Sequence, residues 1–483
     1  MKLETIHANL ASLFRSCRTG FQNQIGITPV LFGVLLLLLL RQIALVVAAT
    51  ALDRETIQRS FDLAPFLAWL TVPTLIGFYV APKLLKTATP RFFGFMVATG
   101  ICLRLSWFGS LPPLDDDFYR YLWDGAVLAH GFNPYTFSPE QVSQGGIFIP
   151  DGIKALAVAG SDTIHLINFP ELTSIYPGVA QLIFAQAYYL MPWSLDSLRV
   201  LLLIADCTTL WVVIALLQHL GHTRIWAALY WCNPLVILAG VGAGHVDAFL
   251  PPLILGAFLA MYRQRPKLAA TLLALAVGIK IWPVLLTPLL FRQGLAGWRR
   301  YLPPLAVLIL VSTASLSPLL AVAFTKTSGL NAYASAWHIN NAPFAWLQAV
   351  LCYLTGIDSN SAGKLLRLLL SGVAALVAIA MAWRPISGLT DQITRAMVIT
   401  ASIFYLSPAQ FPWYALWFLP FAALMRNGPL LLASATLSVY YLFLPLAKTG
   451  HYELFQSQVA FLHAAPVWLW IAWQYFRKPC QTQ

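Results

Sequence analysis

The chain has 483 residues, of which 59% are hydrophobic and 10% charged, with a formal net charge of +12. Apolar runs near membrane-spanning length recur from Pro29 to Trp473, which excludes a soluble globular domain and predicts an all-α polytopic membrane protein, one domain over residues 1–483. The positive charge lies in short loops between these runs, which excludes nucleic acid as a partner and reads as a topology signal.

The first run, Pro29 to Thr50, has no small-residue cleavage site behind it and reads as a retained signal anchor. The basic clusters are Arg15/Arg18, Lys83/Lys86/Arg91, Arg224, Arg263/Arg265/Lys267, Arg292/Arg299/Arg300, Arg384, Arg426 and Arg477/Lys478. Placing all of them in the cytoplasm puts the first spans at about 30–50, 62–82 and 92–109. An acidic outer loop, 110–176, follows. It carries net charge −6 while the rest of the chain carries +18. The run 177–192 would break the parity if it crossed, and is expected to be an amphipathic helix lying at the outer interface.

Spans at 197–219, 224–242 and 246–262 come next, the last two meeting at a tip, GVGAGHVDA. The run 267–291 has basic residues at both ends, so it is expected to form two half-spans broken at Lys280 and Pro283. Spans at 301–323 and 365–384 enclose an outer loop with Trp337, His338, Asn340 and Asn341. Spans 394–408 and 412–426 meet at SPAQFPWY, and two more complete about 14 crossings, with both termini inside. Lys326, Lys364, Arg367 and Lys448 fall outside, and Arg41 lies mid-span as a snorkelling side chain or a buried phosphate ligand. The six cysteines (Cys17, Cys102, Cys207, Cys232, Cys352, Cys480) show no metal or disulfide spacing and read as small apolar filler.

On this path the polar motifs share the outer face. The richest is LDDDFYRYLWDGAVLAHGFNPY, residues 114–135, with four aspartates in ten residues. Asp115 and Asp116 follow two prolines and sit where carboxylates cap a helix start. Asp117, Arg120, Tyr121 and Asp124 are spaced i, i+3, i+4, i+7 and share one helix face. Carboxylates that accept from hydroxyls or act as a base, with Tyr121 or Trp123 to stack on a ring, suit a sugar; a solvated acidic face is the bland alternative. The triple aspartate also has the ligand chemistry for a divalent cation, although the sequence requires no cofactor.

Glu171 and Tyr176 in INFPELTSIYPG offer a second carboxylate and a phenol. His245 and Asp247 sit at a glycine turn, too few to assert a metal site. Lys280 lies among Ile279, Ile281 and Trp282, so its ammonium calls for an anionic partner such as a lipid phosphate, or snorkels to headgroups. WHINN (337–341) and AQFPWY (409–414) add Trp337, His338, Asn340, Gln410, Trp413 and Tyr414, a mixture common in carbohydrate sites and also in interfacial aromatic belts.

These motifs, in the order DDDFYRYLWDG, GFNPY, NFPELTSIYPG, GHVDAFLPPLILGAF, LALAVGIKIWPVLLTPLLFR and SPAQFPWYALWFLPF, resemble those of GT-C-fold membrane glycosyltransferases. Within that fold the chain is most similar to bacterial polyprenol-phosphate-mannose-dependent mannosyltransferases. The likeness spans roughly residues 60 to 445. It implies a catalytic base at Asp117 or Asp116, followed by Tyr119, Arg120, Tyr121, Trp123 and Asp124. It also implies site positions at His245/Asp247, Lys280 and Pro412, Trp413 and Tyr414. IYPG (175–178) departs from the YPP of relatives.

The resulting expectation is a polytopic glycosyltransferase in the cytoplasmic membrane with its active site facing the exterior. It would move a hexose, mannose by family likeness, from a polyprenyl-phosphate donor to a hydroxyl of a glycan or glycolipid. Asp117 (or Asp116) would deprotonate the acceptor with inversion, and Lys280, with Arg120 and His245, would neutralise the departing phosphate. Asp115, Asp124, Glu171, Tyr176, Asp247, Trp337, His338, Asn340, Gln410, Trp413 and Tyr414 would bind substrate. A flippase for lipid-linked glycans is the non-enzyme alternative, but it would place ionisable groups mid-membrane in repeated halves. A diphosphate-dependent polymerase or ligase would lean on outer arginines, which are scarce here.

Overall fold

The computed structural model describes residues 90–477 apart from 293–297 and 326, together with residues 67, 68, 71, 72 and 75. The expected spans at 30–50 and 62–82, Arg41, and the clusters Arg15/Arg18 and Lys83/Lys86 lie outside the described residues or nearly so. Among the described residues the chain is helical, and its only β feature is an isolated bridge between Ile339 and Ala409. It is a multi-pass helical membrane protein.

Helix α1 (Pro90–Leu105) leads into the acidic segment, whose first helix is α2 (Asp117–Ala129). Pro112 and Pro113 hold the intervening chain out of helical pairing, so α2 starts only at the third aspartate. Helix α3 (Gly178–Leu190) fills the run expected at the interface. It is not amphipathic in the polar-apolar sense: Ala180, Phe184 and Ala187 are buried, while Leu182, Tyr189 and Leu190 on the other side are exposed.

The long helix α4 (Leu195–His219) is followed by a bent pair, Arg224–Trp231 and Pro234–Gly242, meeting at 62°. The bend sits at Asn233-Pro234, where proline removes an amide and the Asn233 side chain caps Leu235 and Val236. Helices α5 (Leu250–Tyr262) and α6 (Pro266–Val277) form a tight antiparallel pair. The expected break follows at Gly278–Ile281, and short turns continue over Trp282–Leu286 and Thr287–Leu290.

Helices α7 (Trp298–Ala321), α8 (Ala342–Thr355), α9 (Ser359–Trp383) and α10 (Leu389–Leu406) come next, then α11 (Gly428–Thr436) and α12 (Phe461–Phe476). Two elements are at variance with the sequence reading: 329–336 and α8 are helices inside what was expected to be one outer loop. The crossing count also differs. Among the described residues four helices are long and apolar enough to span, five with the bent pair, rather than the dozen that fall in this range of the expected path. Shorter or broken helices occupy most of the remaining expected spans, several of them interrupted by proline or glycine, while α10 is a continuous helix of 18 residues.

Two buried arginines set the helix positions. The Arg104 Nε donates to Asp206 Oδ2 at 2.5 Å, its Nη1 to the carbonyls of Gly100 and Trp231, and its guanidinium lies 3.6 Å from the Trp231 ring centroid. The Tyr230 hydroxyl completes Asp206 at 2.7 Å. This links α1, α4 and the bent pair through a buried ion pair, and such charges are costly inside a bilayer unless they are paired. Arg199, at the other end of α4, donates to the carbonyls of Ser110, Val241 and Gly242 and to Asp196. It thereby fixes the start of the acidic segment against the GVGAG tip.

Helices α2 and α3 approach so closely that a Cβ on Gly125 would lie 2.4 Å from the Phe184 carbonyl oxygen. Gly125→Ala is therefore expected to cost about 1–3 kcal/mol, read as a lowered midpoint of thermal unfolding in detergent. Gly94→Ala on α1, where nothing lies within 4 Å, should instead be neutral or stabilise by up to about 1 kcal/mol.

Candidate active site

Five separate stretches of chain converge beside the start of α2: the aspartates 115–117, the loop 168–176, the tips at 245–247 and 278–282, and the segment 407–417. Each tip is a place where a helix stops. Gly244 has φ +81°, a backbone region that glycine enters without strain, and it turns the chain so that His245 and Asp247 face Asp115 and Lys280.

The three aspartates diverge. Asp115 is buried and accepts from the Tyr441 hydroxyl. Asp116 occupies the helix-cap position but caps nothing with its side chain; it accepts from Asn168 Nδ2 at 2.8 Å. Asp117, at the first helical position, lies 3.4 Å from the same amide. Its side chain keeps 26% of its surface accessible against 4% for Asp115, so it is the one of that pair a substrate can reach. Burial raises the Asp117 pKa above the ordinary aspartate range, opposed by His245, the Asn168 bond and Lys280.

The His245 imidazole is sandwiched between Asp115 and Asp117, with Nε2 3.6 Å from Asp115 Oδ1 and Nδ1 3.6 Å from Asp117 Oδ2. It is held flat by Trp413, whose ring stacks at 3.9 Å and 12°. Asp247 accepts from Lys280 Nζ at 2.8 Å and from the Trp417 indole at 2.7 Å. The Lys280 ammonium also sits 3.8 Å from the Tyr414 ring centroid, and the Tyr414 hydroxyl meets that of Tyr333 at 3.0 Å. The carboxylate and the two aromatic faces favour the charged ammonium and so oppose the cost of its burial. Among the described residues no group of three His, Cys, Asp or Glu side chains has metal-holding geometry.

Other expected site residues are committed to internal bonds. Arg120 donates to the carbonyls of Leu172 and Phe169, clamping the loop that carries Asn168. Asp124 is buried and accepts from Ser174 at 2.5 Å and Gln181 at 3.1 Å. Tyr121 stacks on Phe184 at 4.6 Å and meets Tyr176 hydroxyl to hydroxyl at 3.4 Å. Trp123 packs near Trp193. Glu171 is exposed on the loop. One helix face thus carries all four predicted groups of the i, i+3, i+4, i+7 set, but only Asp117 opens to the site.

The tips 337–341 and 407–411 are knitted to one another. Ile339 N donates to the Pro408 carbonyl, Gln410 N to the Ile339 carbonyl, and Asn340 Nδ2 to the Gln410 carbonyl. The Gln410 amide donates to the Tyr405 carbonyl. Asn340 and Gln410 therefore shape the wall through backbone contacts. The Trp337 ring packs edge-on against Phe169 at 4.3 Å, and the His338 carbonyl accepts from Gln456. The approach to α3 explains the IYPG departure: a Cβ on Gly178 would lie 2.9 Å from the Ser315 carbonyl oxygen. The amides of Val179 and Ala180 then donate to the Gly278 carbonyl, beside Lys280.

Asn168, Trp417 and Tyr333 were not singled out from the sequence. Asn168 lies inside INFPELTSIYPG and carries no charge to draw notice; Trp417 lies four residues beyond Trp413 in SPAQFPWYALWFLPF.

Residues 176–295 match a family profile described as "Alpha-(1->6)-mannopyranosyltransferase, N-terminal domain", and residues 341–473 match one described as "MptB C-terminal domain". The chain is 24% identical over 386 residues to alpha-(1->6)-mannopyranosyltransferase A of Mycobacterium tuberculosis, covering 74% of this chain and 71% of that relative. It is 23% identical over 199 residues to the protein of the same name from Corynebacterium glutamicum, covering 40% of this chain and 37% of that relative. His245, Asp247 and Lys280 fall in the first profile and Trp413 and Tyr414 in the second, so both contribute to one pocket. Through both profiles and both relatives the chain is similar to alpha-(1->6)-mannopyranosyltransferases, which with its helical architecture supports a GT-C-type membrane mannosyltransferase.

Proposed function

We propose that the protein transfers mannose from a polyprenyl-phosphate-linked donor to a hydroxyl of a glycan or glycolipid on the outer side of the cytoplasmic membrane, with inversion at the anomeric carbon. The observation that carries this reading is the gathering, in one cluster walled by aromatic rings, of a partly accessible carboxylate, Asp117, and an ammonium anchored by Asp247, Lys280. A transfer of this kind needs a base at the incoming hydroxyl and a cation at the departing phosphate.

Asp117 takes the proton of the acceptor hydroxyl as its oxygen forms the new bond to the anomeric carbon. The bond from that carbon to the phosphate oxygen breaks, and its electron pair leaves on the lipid phosphate. Lys280, set by Asp247 and Trp417, answers that charge. Its neighbours Ile281 and Val284 are exposed apolar residues, a surface suited to a polyprenyl chain. Asp116 and Asn168 position Asp117, while the buried rings of Trp413 and Tyr414, stacked on His245 and lying against Lys280, hold those two groups in place. The mannosyl specificity rests on the names of the two relatives.

Asp117→Asn is expected to lower transfer by about 10²–10⁴-fold with folding intact, and Asp116→Asn by far less, measured with a panel of polyprenyl-phosphate sugars and purified protein. Full activity in both variants would remove the base assignment. Lys280→Ala should raise the donor KM or lower kcat much more than it changes the acceptor KM. Unchanged donor dependence would return that lysine to headgroup contact. In a cysteine-free background, a cysteine at Ile281 should react with an impermeant thiol reagent from the outer side, and one at Gln264, on the turn between α5 and α6, only from the cytoplasm. The reverse pattern would invert the orientation.

A further inference from the structure

His245 is the one strongly placed group that the transfer step leaves idle. Its ring is 1% exposed, and neither nitrogen has a hydrogen-bond partner. A buried imidazole with both nitrogens unanswered is costly unless its surroundings have another use for it. The surroundings here are two carboxylates at equal distance, one on each nitrogen, and an indole that fixes the ring plane.

The distances of 3.6 Å exceed a formed hydrogen bond, and such contacts shorten when substrate closes a site. The other charged and titratable groups around this cluster are Asp116, Arg120, Tyr121, Tyr176, Lys280, Asp247, Tyr440 and Tyr441. Lys280 and Asp247 are committed to each other, Asp116 to Asn168, and Tyr441 to Asp115.

We propose that His245 is a proton relay behind Asp117, taking from it the proton removed from the acceptor and holding that proton between Asp117 and Asp115. The proposal rests on the reading of Asp117 as base. The acceptor O–H bond breaks as the Asp117 Oδ–H bond forms; the Asp117 Oδ–H bond then breaks as the proton joins the lone pair on His245 Nδ1. Asp115 accepts from Nε2–H, which fixes the tautomer that leaves Nδ1 free to receive, and the resulting imidazolium lies between two carboxylates. Asp117 is ionised again before the product leaves, and the proton returns to water through it as the site opens. His245 acts through Asp117, so it is a positioning and relay residue rather than one that touches substrate.

The test uses the full-length protein in liposomes, with polyprenyl-phosphate mannose as donor and a short synthetic mannoside as acceptor. His245→Gln should lower kcat about 10-fold or more with the donor KM within about twofold. The acid limb of its pH profile should stay in place, because the imidazole that receives the proton is neutral before transfer. Asp115→Asn should lower kcat similarly but move that limb downward, since a neighbouring negative charge is removed. The double variant should be no slower than His245→Gln alone, as expected for two members of one chain of transfer.

An acid limb that stays at the wild-type pH in Asp115→Asn, or kcat losses that multiply in the double variant, would overturn the relay. So would a rise in donor KM with kcat unchanged, which would make His245 a phosphate ligand. Asp115→Asn serves if loss of the stacked ring unfolds His245→Gln. Loss of activity in Asp117→Asn with a silent His245→Gln would refute the relay and leave the base standing; activity in Asp117→Asn would refute the base itself.

Discussion

A carboxylate withdrawn from water costs several kcal/mol unless a cation or an N–H or O–H donor answers it, and that constraint organises this molecule. Asp206 is answered by Arg104 and Tyr230, Asp247 by Lys280 and Trp417, Asp124 by Ser174 and Gln181, and Asp196 by Arg199 and the Gly109 amide. Apart from the local Asp196–Arg199 pair, these answers join segments distant in sequence and serve as cross-links between largely apolar helices. Around Asp117 the answers are longer and incomplete. That is where a carboxylate keeps both access and a raised pKa, the two properties a base requires.

Such pairing also explains why the site tolerates a lysine. An ammonium among Ile279, Ile281 and Trp282 would be expensive alone. With Asp247 at 2.8 Å and two aromatic faces beside it, the pair is neutral overall and the cation is held at a fixed point. A phosphate brought to it finds a charge already positioned, with little reorganisation left to perform.

Much of this was legible in the sequence, and the illegible part has a definite character. Asp117, His245, Asp247, Lys280, Trp413 and Tyr414 were visible because charged or aromatic residues interrupt apolar runs at helix-breaking positions, and the structure brings them together. The break at Gly278–Ile281 was visible from basic residues at both ends of one run. Arg120, Asp124, Asn340 and Gln410 were equally conspicuous, yet the structure spends them on backbone carbonyls and buried partners. Residue type cannot tell a polar group turned to a cavity from one turned to its own chain; only the contact geometry does. The helix at 342–355 was missed because its polar flanks resembled a loop, and the intramembrane pair Arg104–Asp206 because its halves lie about a hundred residues apart.

The carbonyl of Gly278 receives the first two free amides of helix α3, and Ser315 on α7 bonds the same turn. The residue that bears the ammonium is two positions away. Any tilt of that surface helix, whether from crowding, lipid thickness or a bulky glycan leaning on Leu182 and Tyr189, is therefore transmitted mechanically to the cationic end of the pocket. The lipid environment and the electrostatics of the site are in this sense geared to one another through a single peptide group.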